Sequence, residues 1–306
     1  CADVRVYVLD VAHFNASMAP NGALTLWTGA LLRAENEAQL AYVLGHEVAH
    51  FRRRHTLSRW RDLRAKTSAL AFVQIAAAGA GVGYVGTAAH LIAQLSALAY
   101  SREQEEEADE IGLRMVASAG YDPREAARVW TNLEQEEAAS DHDRPAAFLS
   151  THPSGPDRAA TLAELAKQAD PTRALREQGR EVFLATTLPH RSAMLRGELR
   201  KRSYETTEVL LERLAADGAG PGRLHYFRGE LYRLRAKPGD DERALSAYAQ
   251  SSAHADAPPA LHRSRGLVLM KLARKSQARA ALTKYLQLHP HATDQRMIRS
   301  YIDDLQ

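Results

Sequence analysis

The stretch Leu40-Ala41-Tyr42-Val43-Leu44-Gly45-His46-Glu47-Val48-Ala49-His50 decides the fold of the first half of the chain. Asn36 precedes it as a favoured helix N-cap, and Gln39 stands three residues later as its capping-box partner. No proline follows until well beyond the stretch. The pattern predicts one long helix from about 37 to about 66.

The histidine spacing within this helix predicts a metal site. Side chains four residues apart share one face of an α-helix, so His46 and His50 can bind the same ion. Glu47 lies beside that ion and is suited to take a proton from an attacking water, which zinc brings towards a pKa of about 7. The alternative is a chance occurrence of two histidines and a glutamate in ordinary helical positions.

A third ligand is expected elsewhere, because catalytic zinc commonly has three protein ligands. The candidates lie in the acidic segment 103–109, which Ser101 opens as an N-cap. Glu105 and Asp109 share one helical face, so Glu105 can bind the metal while Asp109 accepts a hydrogen bond from a ligand imidazole. Spacing alone does not separate Glu105 from Glu106, and a solvated acidic face is the alternative.

Two strands are predicted before the motif helix. Val4, Val6 and Val8 alternate with polar residues or tyrosine, and a second strand follows the turn at Pro20-Asn21-Gly22. The pattern His46-Glu47-Val48-Ala49-His50 on a helix is typical of zinc peptidases. We therefore expect peptide substrate to bind as an added strand along an edge strand near 23–28.

Residues 67–101 contain no Asp, Glu, Lys or Arg, and they include four glycines. A single membrane crossing of about 30 Å would separate the two histidines of the motif from Glu105. We therefore predict a helical hairpin, either buried against the catalytic domain or in peripheral contact with a membrane surface.

The C-terminal third has an internal repeat. Gly229 and Gly266 are 37 residues apart, and Ala244 and Ala278 are 34 apart. A period near 34 residues is typical of tetratricopeptide repeats, and a generic helical bundle is the alternative. The predicted domains are a peptidase domain at 1–168, a helical linker at 169–199 and a repeat domain at 200–306. The fold class is α+β and mostly helical.

Composition adds little about partners. The net charge is +3 over 306 residues, and the basic run Arg52-Arg53-Arg54-His55 is interpreted as a solvated helix face, so no nucleic-acid partner is expected. Cys1 is the single cysteine and excludes an intramolecular disulfide. A chain starting at cysteine is typical of a processed lipoprotein, so Cys1 is a candidate lipid anchor, or the sequence simply begins there.

The sequence resembles the BepA-like and HtpX-like gluzincin metallopeptidases, which have a zincin-type domain with a small sheet and an active-site helix. The repeats resemble the BepA-like branch. The matching segments are Asn15-Ala16, Pro20-Asn21-Gly22, the stretch 40–50, Tyr100-Ser101-Arg102-Glu103-Gln104-Glu105, Ala108-Asp109, Gly120-Tyr121-Asp122-Pro123, Thr151-His152-Pro153 and Arg158.

The resemblance implies one Zn²⁺ per chain, with His46, His50 and Glu105 as ligands. Glu47 is then the general base, and Asp109 orients a ligand. It also implies a bacterial periplasmic enzyme that hydrolyses misassembled envelope proteins, with the repeats recruiting clients or outer-membrane assembly machinery. A chaperone or adaptor with little proteolysis is the alternative.

His152 lies in the shared Thr-His-Pro segment. Its imidazole could occupy the open zinc position as a regulatory fourth ligand, which would make the resting enzyme inactive. The alternative is a loop histidine that hydrogen-bonds locally or aids substrate binding.

Overall fold

The structure is a computed structural model that describes residues 4–59, 61, 64–65, 99–140, 148, 152, 157–170, 178–216, 218 and 220–305. The strands are β1 (Arg5–Leu9), β2 (Ala16–Met18) and β3 (Ala23–Trp27). The helices are α1 (Thr28–Arg33), α2 (Glu37–Arg52), α3 (Arg102–Ser118), α4 (Glu125–Ala138), α5 (Arg158–Ala169), α6 (Arg180–Arg200), α7 (Tyr204–Ala216), α8 (Pro221–Arg235), α9 (Asp240–Ser252), α10 (Ala260–Lys271), α11 (Lys275–Leu288) and α12 (Gln295–Asp304).

The chain divides into two compact units. One comprises Cys1–Glu137 and His142–Thr187, and the other comprises Ala138–Asp141 and Leu188–Gln306. The small sheet belongs to the first unit, and the described residues of the second unit form helices and their connections. The predicted α+β, mostly helical fold is confirmed.

The sheet has the order β1-β3-β2, with β3 parallel to β1 and antiparallel to β2. The prediction of an edge strand near 23–28 is therefore wrong, because β3 is the central strand. β2 escaped the sequence interpretation since its three residues are too few to display an alternating pattern. β2 is the edge strand that packs against α2.

Helix α2 begins as predicted and ends earlier. The Asn36 side chain accepts a hydrogen bond of 2.8 Å from the backbone of Gln39. The helix ends at Arg52, not near 66, because Arg54 has a left-handed backbone with φ 58°. This change of direction turns the following residues back towards the rest of the unit.

Two glycines let α2 and α3 approach closely. A Cβ atom on Gly112 would lie 3.0 Å from the backbone nitrogen of His46, and one on Gly45 would lie 3.2 Å from the carbonyl oxygen of Gly112. Ser101 and Gln104 form the reciprocal capping box that begins α3. The close crossing brings the acidic face of α3 against the histidine face of α2.

The core of the first unit lies between the sheet and helices α2 to α5, and it includes Phe14, Leu26, Leu113, Trp130, Phe148 and Leu162. Trp130 is also hydrogen-bonded: its Nε1 donates to the hydroxyl of Tyr42 over 2.9 Å. The core thereby fixes the side chain of Tyr42, whose hydroxyl reaches the candidate site.

The second unit contains two helix pairs, α8 with α9 and α10 with α11. Gly229 faces the ring of Tyr248 across the first pair, and Gly266 faces Leu282 across the second. The repeat positions singled out in the sequence are thus contact positions. Their assignment to tetratricopeptide repeats stays a prediction.

Among the described residues, no helix combines the length and apolar character needed to cross a bilayer. The predicted hairpin at 67–101 lies almost wholly outside the described residues, as does Cys1.

Candidate metal centre

Four buried side chains from three parts of the first unit meet at one point: His46 and His50 from α2, Glu105 from α3, and His152. One ligand atom from each lies within 4.8 Å of the others. Each residue is at most 3% exposed. Glu106, the alternative to Glu105 in the sequence, is exposed to solvent.

The geometry of this cluster suits a metal ion. His46 Nε2 and His50 Nε2 are 3.0 Å apart, and Glu105 Oε1 lies 3.3 Å from His50 Nε2. Burial lowers the pKa of His50 to about 3, so this imidazole is neutral and presents a lone pair. Neutral imidazole nitrogens and a carboxylate oxygen are the ligands that zinc prefers.

His152 faces the same point. Its Nδ1 atom lies 3.0 Å from Glu105 Oε1 and 3.2 Å from His46 Nε2. Its ring stacks on Phe148 with centroids 4.4 Å apart. The structure therefore brings this distant histidine into the cluster, where its Nδ1 atom is a possible fourth ligand.

Glu47 lies beside the cluster and is 1% exposed. Its Oε1 atom makes no hydrogen bond within the described part of the chain, and it lies 3.4 Å from His152 Nε2. Burial raises the pKa of Glu47 above that of an ordinary glutamate. A carboxylate with a raised pKa and an unengaged oxygen is suited to accept and return a proton.

Asp109 connects the cluster to the core. Its carboxylate lies 2.8 Å from His46 Nδ1 and accepts a 2.8 Å hydrogen bond from the Tyr42 hydroxyl. Arg158 donates to both oxygens of Asp109 and places Nη1 2.6 Å from Glu105 Oε2. One guanidinium therefore orients two carboxylates at once.

The electrostatics favour a divalent cation. With the imidazoles neutral, as metal binding requires, Glu47, Glu105 and Asp109 bring three negative charges to the cluster and Arg158 brings one positive charge, which leaves two negative charges there. Buried charge is costly unless it is balanced. Burial lowers the pKa of His46, but hydrogen bonds to Asp109 and Glu105 outweigh it and raise that pKa to about 9. The pocket thus attracts positive charge.

Sequence reasoning missed one group beside the cluster. His55, interpreted as part of a solvated face, is 5% exposed and lies 2.9 Å from His50. Its other nitrogen lies 3.0 Å from Glu107 Oε2. In the sequence, His55 stood out only as a histidine within a run of arginines. Its burial could not be predicted, because it depends on the turn at Arg54.

A histidine pair with a glutamate on one helix, joined by a buried glutamate from a second helix, is the arrangement typical of a metallopeptidase centre of the gluzincin type. The comparison with protein families agrees. The chain belongs to peptidase family M48, whose family model matches residues 3–166. The predicted family and the predicted metallopeptidase class are confirmed.

Curated relatives include the mitochondrial metalloendopeptidase OMA1 of Arabidopsis thaliana, 36% identical over 164 residues that make up 52% of this chain and 31% of the relative. The beta-barrel assembly-enhancing protease of Escherichia coli is 24% identical over 243 residues, which are 78% of this chain and 48% of the relative. The chain therefore spans about a third to a half of the length of these relatives.

Proposed function

We propose that this chain is a zinc-dependent endopeptidase whose metal is held by His46, His50 and Glu105. The observation that carries the proposal is the convergence of these buried ligand atoms beside the buried carboxylate of Glu47. Family membership supports the reaction class.

Zinc in this position supplies Lewis-acid activation of water and polarisation of the peptide carbonyl. Glu47 removes a proton from the attacking water and later delivers it to the leaving amine nitrogen. Asp109 holds His46 by its Nδ1 atom, so that Nε2 is directed at the metal. Arg158 holds Glu105 and Asp109 in the same arrangement.

Substrate is proposed to bind along β2 as an added antiparallel strand. β2 is an edge of the sheet and packs against the motif helix α2. An edge strand offers unpaired backbone donors and acceptors to an extended peptide. The sequence-based proposal of strand addition is therefore kept and moved from β3 to β2.

His152 is proposed as a removable fourth ligand. Its Nδ1 atom is as close to Glu105 as the histidines of α2 are. A zinc site with four protein ligands is closed to water and substrate, so hydrolysis would require His152 to withdraw. The resting enzyme is then inactive until His152 leaves this position.

The substrates are proposed to be misfolded or misassembled proteins of the bacterial envelope, cleaved in the periplasm, with the helical second unit recruiting clients or outer-membrane assembly machinery. Support comes from the relative named beta-barrel assembly-enhancing protease, whose alignment covers 78% of this chain and so extends beyond the family match. Membrane contact through 67–101 and lipidation of Cys1 remain part of this proposal.

The deciding experiment compares the purified wild type with Glu47→Gln on an unfolded protein substrate. The variant keeps the ligands but lacks the base, so we expect retained zinc and a loss of about a thousandfold or more in turnover, given 10²–10⁴-fold for a general base. Glu106→Gln, on the exposed face of α3, is the matched control. Undiminished turnover by Glu47→Gln at full zinc content contradicts the proposed mechanism.

A chaperone or adaptor role is the second candidate, and it predicts client binding without cleavage.

A variant lacking 200–306 tests the recruiting role. We expect it to hydrolyse a short peptide normally and to cleave a large unfolded client poorly. Equal loss on both substrates indicates structural support instead of recruitment.

A further inference from the structure

The two histidines of α2 are held by different partners behind the cluster. His46 presents Nδ1 directly to the Asp109 carboxylate at 2.8 Å. His50 presents Nδ1 to another imidazole, with His55 Nδ1 2.9 Å away. A carboxylate stands behind that second ring, since His55 Nε2 lies 3.0 Å from Glu107 Oε2.

Hydrogen-bond chemistry fixes the direction of this chain of groups. The Nε2 atom of His50 faces the cluster and must keep its lone pair to bind a metal, so the ring proton is on Nδ1. The His50 Nδ1–H then donates to the Nδ1 lone pair of His55. His55 in turn carries its proton on Nε2 and donates it to Glu107. Glu107 thus selects the tautomer of His55, and His55 selects the tautomer of His50.

The surroundings hold the relay of His50, His55 and Glu107 in place. His55 is 5% exposed, and it occupies this position because Arg54 adopts a left-handed backbone at the end of α2. Tyr100 stacks on the His50 ring with centroids 3.9 Å apart and an interplanar angle of 18°. Exposed Arg53 pairs with Oε1 of Glu107, whereas His55 lies against Oε2, so the relay does not depend on Arg53.

We propose that His55 and Glu107 are positioning residues that orient His50 and fix its tautomer for metal binding. They act on His50 as Asp109 acts on His46. The inference rests on the proposed zinc site. His55 acts through His50, so its removal weakens metal binding without removing a ligand.

The test measures zinc affinity of the full chain by competition with a chromogenic chelator. His55→Leu keeps the buried volume and removes the acceptor, whereas His55→Asn keeps an acceptor oxygen near the Nδ1 position. Glu107→Leu removes the terminal carboxylate. Arg53→Ala is the matched control, because it removes the solvent-side partner of Glu107 and has no contact with His55 among those described.

We expect His55→Leu to bind zinc about 10–100-fold more weakly, as is typical when a residue orienting a ligand is lost. Glu107→Leu should show a smaller loss, and His55→Asn and Arg53→Ala should stay within a few-fold of the wild type. Circular dichroism of each metal-free variant monitors folding. If His55→Leu does not fold, Glu107→Leu, whose side chain is one-third exposed, decides alone.

Wild-type affinity in His55→Leu overturns the relay while leaving the zinc site intact, provided that His50→Ala still abolishes binding. An equal loss in His55→Leu and His55→Asn also overturns it, because the shape of the ring and not its acceptor is then what matters. A folded wild type that binds no zinc overturns the proposed function, and the relay with it.

Discussion

The metal centre and the helix pairs of the second unit are both tightly buried, but for different reasons. At the centre, ionisable side chains are buried, and hydrogen bonds between them set their positions, as for Arg158 and Asp109. In the helix pairs, Gly229 and Gly266 are covered by Tyr248 and Leu282, so shape sets the positions. Changes of charge should therefore be felt at the centre, and changes of volume in the helix pairs.

Because of this difference, substitutions in the two regions should separate function from stability. Buried charges that bind a metal contribute little to the free energy of folding until the ion balances them. Closely packed small residues contribute through contacts that exist regardless of any ligand. Variants at the centre should thus alter metal binding and hydrolysis, whereas variants in the helix pairs should alter unfolding alone.

The largest effect is expected from Glu105→Ala. Removal of a ligand should weaken zinc binding by more than the 10–100-fold that is typical of residues behind the ligands. Glu106→Ala, one residue away on the exposed face of α3, should bind zinc normally. Zinc titration of both purified variants checks the prediction. Zinc loss in Glu106→Ala with retention in Glu105→Ala would mean that the ligand assignment on α3 is wrong.

Asp109→Asn should have an intermediate effect. The amide keeps the size of the side chain but loses the charge that attracts His46 and Arg158. We expect zinc affinity or turnover to fall about 10–100-fold while the fold is preserved. Chelator competition and circular dichroism measure the two properties. Unchanged affinity would show that Tyr42 and Arg158 hold the site without this charge.

How much the sequence predicted depends on the range of the interactions involved. The cap at Asn36, the helical spacing of His46 and His50 and the N-cap at Ser101 are local, and the structure has them. The spacing of acidic residues left Glu105 and Glu106 open, and the family resemblance favoured Glu105. The structure buries Glu105 against α2 and leaves Glu106 exposed.

Three features that depend on tertiary structure were not predicted. The end of α2 is set by a left-handed arginine, Arg54, a conformation that arginine rarely adopts and that propensity does not reveal. Burial of His55 follows from that turn. The role of β2 as the edge strand depends on pairing with β3, and three residues carry no periodic signal.

His152→Ala tests whether His152 regulates hydrolysis by closing the metal centre. If His152 closes the site in about nine-tenths of molecules, its removal raises basal hydrolysis of a short peptide by about tenfold. Zinc should remain bound through His46, His50 and Glu105. The measurement is the initial rate at equal zinc content. A fall in the rate with zinc retained supports a role in substrate binding and ends the fourth-ligand proposal.

The smallest effect, on stability alone, is expected from Gly229→Ala in the second unit. The added methyl group overlaps the ring of Tyr248, which is fully buried and hydrogen-bonded to Glu230. Overpacking of this kind costs about 1–3 kcal/mol, partly offset by about 1 kcal/mol of helix propensity gained over glycine. Urea unfolding should show the loss, with zinc affinity unchanged. Gly266→Ala should cost less, because it meets the flexible side chain of Leu282, and Gln250→Ala on an exposed face should cost nothing measurable. A loss of zinc in Gly229→Ala would mean that the helix pairs and the metal centre do not respond separately.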